Sequence, residues 1–497
     1  MEGRVGADTT VSAEAPPDIL DTEHAGGAVI RGGALRVAGY LATVLASVGS
    51  SALLTRYLGP GDFGRYTTAL SLTTIVAALT EAGLTNLGVR EYSAGEADER
   101  RRIVATVLGA RLVLTVISGA VAILFALIAG YDATIVGGVT IGAVALVPSG
   151  VQASLTVPLL SSLRLGAVSA LELVRQGVQV GLQAALVVAG ASLFALLAVP
   201  LPAAIAFLAA TIMVVRGKVS MRPTFDRAEL RRLARLALPY TATTAVGVIY
   251  AYITVVLLSL TTTQAETGWF GAAFRVFAVL TAIPGLLINS AFPVLAHAAR
   301  RDSERLAYAL QRMFDVTVIA GLWMSMVTAI GAPVAIAVVA GSDFDPSIAA
   351  LRIQAFALLG TYFAASWGFA LLALDRMRAV LVANALALAT SVGLTLALAG
   401  PIGARGAAVA NVGGEAVLGG SYAFALLRAR PDLRVSIGVV WPALLASAAA
   451  AATLLVPIGA VAQAVLATLL FGAVLVVFRA IPPEIAEALR SRRPDHL

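Results

Sequence analysis

Apolar stretches of about 20 residues recur from Ala34 almost to the C-terminus, separated by short polar connections. About twenty residues of helix span roughly 30 Å of hydrocarbon, so this rhythm predicts a chain that crosses a bilayer many times. The windows fall at 34–56, 66–89, 103–129, 134–158, 167–189, 193–215, 236–260, 268–296, 306–339, 348–373, 379–399, 406–427, 435–456 and 459–479. The fold class is therefore an all-α polytopic membrane protein of about fourteen transmembrane helices, with no connection long enough for a soluble domain. Residues 1–33 are rich in Gly, Ala, Asp and Glu and lack the basic start and cleavage site of a signal peptide. They are expected to form a disordered cytoplasmic tail.

Composition agrees with the pattern: 59% of the 497 residues are hydrophobic, 13% are charged, and mean hydropathy is +0.90. The absence of cysteine excludes disulfides and thiolate metal sites, and His24, His297 and His496 are too scattered to ligate a metal. No nucleotide-binding loop, His-Glu-x-x-His or Gly-x-Ser-x-Gly occurs, so ATP-driven pumping by this chain alone is not expected and no cofactor is implied. Asp343-Phe344-Asp345, on a connecting loop, is the one scrap with the look of a metal-binding carboxylate pair, and a tight turn opened by Gly341 accounts for it as well.

The formal charge of +7 would suit nucleic acid if it were spread evenly, but it is not. With the N-terminus inside, the connections on that side hold 20 basic residues, from Arg90 and Arg100 through Arg216–Arg235 to Arg428–Arg434, and the opposite connections hold only Arg56, Arg65 and Arg405. This is the positive-inside asymmetry of a plasma-membrane protein with both termini cytoplasmic, and nucleic acid is not an expected partner.

An internal echo divides the chain. Phe63–Leu70 lies over Thr267–Phe274 at an offset of 204, and a second echo at 212 sets Arg164 against Arg376. Six helices per repeat make the repeats parallel, related by an axis along the membrane normal, with a cavity between them. The expected organisation is an N-lobe at 34–215, a basic cytoplasmic linker at 216–235 with Thr224 or Asp226 capping a short amphipathic helix, a C-lobe at 236–427, two further helices at 435–479 and a cytoplasmic tail at 480–497.

Ionisable groups at membrane depth are costly and commonly face a bundle interior or a wet cavity. Glu172, Arg175, Gln179 and Gln183 step by three and four residues and so share one helix face. Arg175 and Arg275 sit far from helix ends and are the first candidates for binding an anion, since a guanidinium fork suits phosphate oxygens. Arg90, Arg111, Arg352 and Asn289 join them, although Arg90 and Arg352 lie close enough to helix ends to reach the interface with their stems. Glu81, Glu172, Asp315 and Glu415 are candidates for coupling to H+ or Na+, or for neutralising nearby arginines; Gly413-Gly414 and Gly419-Gly420 suit close helix packing.

The run Arg56-Tyr57-Leu58-Gly59-Pro60-Gly61-Asp62-Phe63-Gly64-Arg65-Tyr66, with Glu81-Ala82-Gly83-Leu84 and the exit Arg90-Glu91-Tyr92, resembles the opening of the oligosaccharide flippases of the polysaccharide transporter family. That family lies within the larger group of multidrug, oligosaccharidyl-lipid and polysaccharide exporters. Pro401–Ala410, leading into Asn411 and Glu415, resembles its entry to the twelfth helix. The resemblance implies movement of a polyprenyl-diphosphate-linked oligosaccharide from the inner to the outer leaflet, with glycan polymerase or export proteins as partners. A drug or small-molecule exporter of the same broad group, or a membrane glycosyltransferase or polymerase, is the alternative.

Overall fold

A computed structural model describes residues 25–480 except Ala82, Leu163, 217–222, Asp302 and Arg434; side chains are described outside 25–44, Ala97, Leu165, Pro239, 286–301, Ser303 and Arg305. In hydrocarbon every backbone N–H and C=O must be satisfied within its own segment, and among the described residues the regular structure is helical throughout. The helices are α1 (Ala25–Glu81), α2 (Leu84–Ala94), α3 (Ala97–Ile128), α4 (Ala133–Ser161), α5 (Leu165–Val188), α6 (Leu193–Ala198), α7 (Pro200–Val215), α8 (Arg227–Thr261), α9 (Gln264–Arg301), α10 (Ser303–Val339), α11 (Pro346–Ala373), α12 (Met377–Ala429), α13 (Val440–Ala451) and α14 (Ala460–Val477). α1 already begins at Ala25, within the stretch expected to be a tail.

Among the described residues, ten helical stretches are long and apolar enough to cross a membrane. Two of them, Leu45–Ala94 and Met377–Ala429, have 50 and 53 residues; the first holds the second window and part of the first, and the other holds the windows 379–399 and 406–427. Each is broken where the chain turns, at Gly59 and at Ile402–Gly403, and the positive φ of Gly59 (68°) and of Gly403 (55°) would strain a β-carbon. Two windows are not among the ten: α5, which carries the polar stripe, and the shorter apolar helix Val440–Leu455.

Helices α3, α4 and α5 pack with α1, α7 packs against α4 and α5, and α8 to α12 form a second group, with α10 also receiving α13 and α14. The groups meet where α1 crosses α8 and α9. At that crossing a β-carbon on Gly64 would lie 1.9 Å from the Gln264 carbonyl oxygen, and one on Gly268 would lie 1.9 Å from the Pro60 carbonyl oxygen. Gly271 opposes Thr67 in the same seam. Pro60 and Gln264, Gly64 and Gly268, Thr67 and Gly271 are all pairs at the 204-residue offset. The contact is thus reciprocal, as a two-fold relation between repeats requires. The 212-residue echo behaves alike: Arg164 and Arg376 precede α5 and α12 with nearly the same backbone (φ −76°, ψ 52° and φ −95°, ψ 47°).

Further contacts close the Gly59 face of the seam. The Arg56 guanidinium donates to the Ala337 and Val338 carbonyls at 2.9 Å each, Thr55 donates to the Val339 carbonyl at 2.6 Å, and Glu266 accepts from the Ala404 N–H at 2.7 Å. Phe63, Phe270 and Phe344 are fully buried here, Phe63 meeting Phe344 edge-on at 5.9 Å. On the same face Asp132 caps α4 and pairs with Arg65 at 2.8 Å. Partial burial opposes its ionisation, but the Ile135 N–H and Arg65 outweigh this and hold the carboxyl below the usual carboxylate range.

On the opposite face the linker lies against the first group. Asp226 caps α8 by accepting from the Ala228 N–H at 2.8 Å, Thr224 N–H donates to the Ala105 carbonyl at 3.0 Å, and Arg232 pairs with Glu91 at 3.3 Å. Tyr240 rests against Gly83, where α1 gives way to α2, and accepts from Asn86 at 2.8 Å.

Because backbone oxygen rather than a movable side chain opposes each seam glycine, Gly64→Ala and Gly268→Ala should each destabilise the protein by about 1–3 kcal/mol. Thermal unfolding in detergent checks this, with Gly285→Ala, where a β-carbon meets open space, as the neutral control.

Candidate functional site

The polar stripe of α5 divides into two parts. Arg175 bonds Glu172 on its own helix and donates to Gln179 at 3.2 Å, so its charge is answered locally while the side chain stays about one-third exposed. Gln183, about two turns beyond Arg175, is 1% exposed. It accepts from Ser50 of α1 and donates to the Tyr66 hydroxyl at 3.3 Å. Tyr66 is buried and within electrostatic reach of Arg275 on α9. Gln183, Ser50, Tyr66 and Arg275 therefore gather from three helices next to the seam.

Arg275 lines a cavity of about 130 Å³ with Ser47, Val48 and Ser51 of α1 and Ala335 and Val339 of α10. Among the described residues no carboxylate pairs with Arg275, and the buried Ser51 hydroxyl has no hydrogen-bond partner. Both residues border one void, and a guanidinium and a hydroxyl are groups that can donate to an oxyanion. Val276, Leu280 and Ala335 belong both to this cavity and to a groove of about 560 Å³, whose other lining includes Met324 and Val327 of α10 and Val461, Val465 and Leu469 of α14. The second lining is almost wholly apolar.

Arg111 is as deeply buried as Gln183, at 1% exposure. It pairs with half-exposed Glu81 at 3.2 Å and donates to Thr85 at 2.9 Å, while its Nε and Nη1 lack partners. The Gly150 position, where a β-carbon would lie 3.2 Å from the Arg111 stem, makes room for it. Arg111 lines neither the Arg275 cavity nor the groove. Arg90 and Arg352 are exposed and line neither of these spaces. The side chain of Asn289 lies outside the described residues.

Of the acidic candidates, Glu81 and Glu172 each answer an arginine, and buried Asp315 lies 3.6 Å from Arg312 and accepts from Gln311 at 2.7 Å. Glu415 differs. Buried on α12, it accepts from Tyr250 of α8 at 2.9 Å and from Thr361 of α11 at 3.0 Å, with no basic residue paired to it among the described residues. Gly360 and Gly414 permit this packing, since a β-carbon on either would collide with Glu415 or Tyr250. Asp343-Phe344-Asp345 forms a turn that buries Phe344, offers the Asp343 carbonyl to Trp269 at 3.2 Å and leads into α11. Among the described residues no group of three or more His, Asp or Glu is arranged to hold a metal ion.

Ser50, Ser51, Tyr66, Tyr250 and Thr361 escape a search for ionisable groups, because a hydroxyl is unremarkable in an apolar window. Tyr66 alone had a signal, as part of the echoed segment.

Residues 53–349 match the family described as polysaccharide biosynthesis protein. No curated protein sequence matches the chain. Among solved structures, the chain is similar to the lipid II flippase MurJ in an inward closed conformation, with a TM-score of 0.77 at 12% identity over 89% of this chain and 98% of that one. It is also similar to a multidrug resistance MATE family transporter of the MOP superfamily, inward-facing, with a TM-score of 0.66 at 14% identity over 79% and 95% of the two chains. An outward-facing transporter of that description matches with a TM-score of 0.52 at 15% identity over 80% and 93%. At these identities the likeness shows a shared fold.

A buried cation that loses its only counter-ion suffers more than a pair removed together. Glu81→Ala should therefore destabilise the protein by about 3 kcal/mol, and Arg111→Met by less; unfolding midpoints in detergent provide the comparison.

Proposed function

The chain belongs to the polysaccharide biosynthesis protein family, and on that footing we propose that it is a flippase carrying a polyprenyl-diphosphate-linked oligosaccharide across the plasma membrane, from inner to outer leaflet, for assembly of a cell-surface polysaccharide. The observation that carries this reading is Arg275: a guanidinium without a carboxylate, facing a cavity whose wall continues into an apolar groove. A diphosphate head needs cationic donors in place of its hydration, and a polyprenyl tail needs a path that stays in hydrocarbon. The two adjoining spaces answer those two needs. Similarity in fold to a lipid II flippase supports a lipid-linked cargo, and similarity to multidrug transporters supports a carrier rather than an enzyme.

In this reading the chain makes fourteen crossings, six in each of two lobes at 34–215 and 236–427 followed by two at 435–479, with both termini cytoplasmic. The arginine-rich face is the cytoplasmic one, and the Gly59 seam is the outer gate. The head binds at Arg275, with Tyr66, Ser51 and Gln183 beside it and Arg175 further along α5, and the lobes rock to open the seam. An inside-negative potential of ~100 mV favours outward movement of two negative charges by roughly 4.6 kcal/mol. Glu415 is the coupling group for H+ or Na+, because Glu81, Glu172 and Asp315 each have an arginine beside them. A polymerase or export protein would take the glycan on the outer side.

Reconstituted in liposomes, Arg275→Ala should lower flux of a fluorescent polyprenyl-diphosphate oligosaccharide at least about tenfold, the worth of one charge-assisted contact, with normal membrane insertion. Arg275→Lys should recover part of the flux, and Arg175→Ala should lower it less because Glu172 already answers that charge. Unchanged flux in Arg275→Ala, or tighter binding of lipophilic cations than of polyprenyl diphosphate, would overturn the proposal. Glu415→Gln should abolish any dependence of flux on an applied proton or sodium gradient while sparing potential-driven flux.

A further inference from the structure

A third space lies apart from the Arg275 cavity and shares no lining residue with it or with its apolar groove. It is a groove of about 830 Å³ between the two halves of α12, which run in opposite directions from the break at Gly403. Arg376 and Arg378 stand where the first half begins and Arg428 where the second half ends, so three guanidiniums share one rim. All three are exposed, and among the described residues none is in an ion pair. The acid nearest in the following loop, Asp432, is taken by Arg430 at 2.6 Å. Asp375, next to Arg376, likewise makes no ion pair among the described residues.

Below the rim the walls are apolar. Val382, Leu386 and Phe424 are 57%, 50% and 67% exposed, and Gly420 lines the groove with nothing within 4 Å of where its β-carbon would be. Leu386 lies ten residues beyond Arg376, about 15 Å along the helix, which is half of a ~30 Å hydrocarbon core. The groove is therefore one leaflet deep, with cations at the headgroup level and bare apolar surface beneath. Basic pockets between helices on the cytoplasmic side are the setting in which anionic lipid headgroups are held.

We infer that this groove binds one anionic glycerophospholipid of the inner leaflet, its phosphate bridging Arg376, Arg378 and Arg428 and an acyl chain lying along Val382, Leu386 and Phe424. The leaflet rests on the orientation proposed above; the lipid class rests on the groove itself. A bridging phosphate relieves the mutual repulsion of three like charges and ties the beginning of α12 to its end, holding the two halves as one unit while the bundles move. The chemistry of the rim would accept a polyprenyl diphosphate too, but the groove's single-leaflet depth and its separation from the Arg275 cavity favour the resident lipid.

The test is native mass spectrometry of the full-length protein in detergent, titrated with phosphatidylglycerol, phosphatidylcholine of the same acyl chains, or polyprenyl diphosphate. One phosphatidylglycerol should be retained in preference to phosphatidylcholine. Arg376→Gln, Arg378→Gln and Arg428→Gln should each weaken that retention about fivefold, and together on the order of a hundredfold. Gly420→Phe, which fills the groove and leaves the arginines in place, should weaken it as well. Equal retention of the two phospholipids, unchanged retention in the triple variant or in Gly420→Phe, or loss of polyprenyl diphosphate rather than phosphatidylglycerol in the triple variant would overturn the inference. Because the readout is binding, it stands or falls separately from flux through the Arg275 cavity.

Discussion

The architecture depends on a backbone contact at which two helices come closer than any side chain allows. Gly64 faces the Gln264 carbonyl, and Gly268 faces that of Pro60. In lipid there is little hydrophobic gain in bringing apolar helices together, so association relies on close packing, and glycine permits the closest. The contact is made twice by residues 204 positions apart, which locks the seam from both sides and holds α1 against α9. Tyr66 and Arg275 are neighbours because each is carried on one of these helices just past the crossing.

Next to that seam the membrane-embedded charges fall into two classes. Most are balanced nearby: Arg111 by Glu81, Arg175 by Glu172, Arg312 beside Asp315. Arg275 and Glu415 are not balanced by an opposite charge among the described residues, and both are met by hydroxyl-bearing side chains. They stand in different places, Arg275 at the junction of the two helix groups and Glu415 inside the second. Among the described residues a guanidinium with no carboxylate partner thus stands where the groups meet, and a carboxylate with no basic partner stands within one group. The third basic feature, on the rim of α12, shares no lining residue with the Arg275 cavity or its groove.

The internal two-fold also accounts for where symmetry gives way to function. Tyr66 corresponds to Phe270 at the 204-residue offset, so only the first repeat offers a hydroxyl to Gln183. The α5 stripe has no charged counterpart at offset 212, where Glu172, Arg175 and Gln183 meet Asn384, Ala387 and Thr395. Segments that pack alike across the seam thus differ in the polar side chains they carry beside it.

Hydrophobic periodicity alone determined that the chain is helical and membrane-embedded, because lipid allows a polypeptide few alternatives and the apolar windows are long. It also picked out Arg275, Gln183 and Glu415 by depth, since a polar group at the middle of a span is costly wherever it points. Which of these groups meet was decided only by tertiary structure. For Glu172 and Glu81 the sequence left open ion coupling or the neutralising of an arginine; in the fold each pairs with an arginine, one a turn away and the other on a different helix. Ser50, Tyr66, Tyr250 and Thr361 became visible only once helices distant in sequence were packed together, because a hydroxyl carries no signal until a buried partner depends on it. The sequence records how deep each residue lies; the side to which it turns is set by backbone crossings such as Gly64 on Gly268.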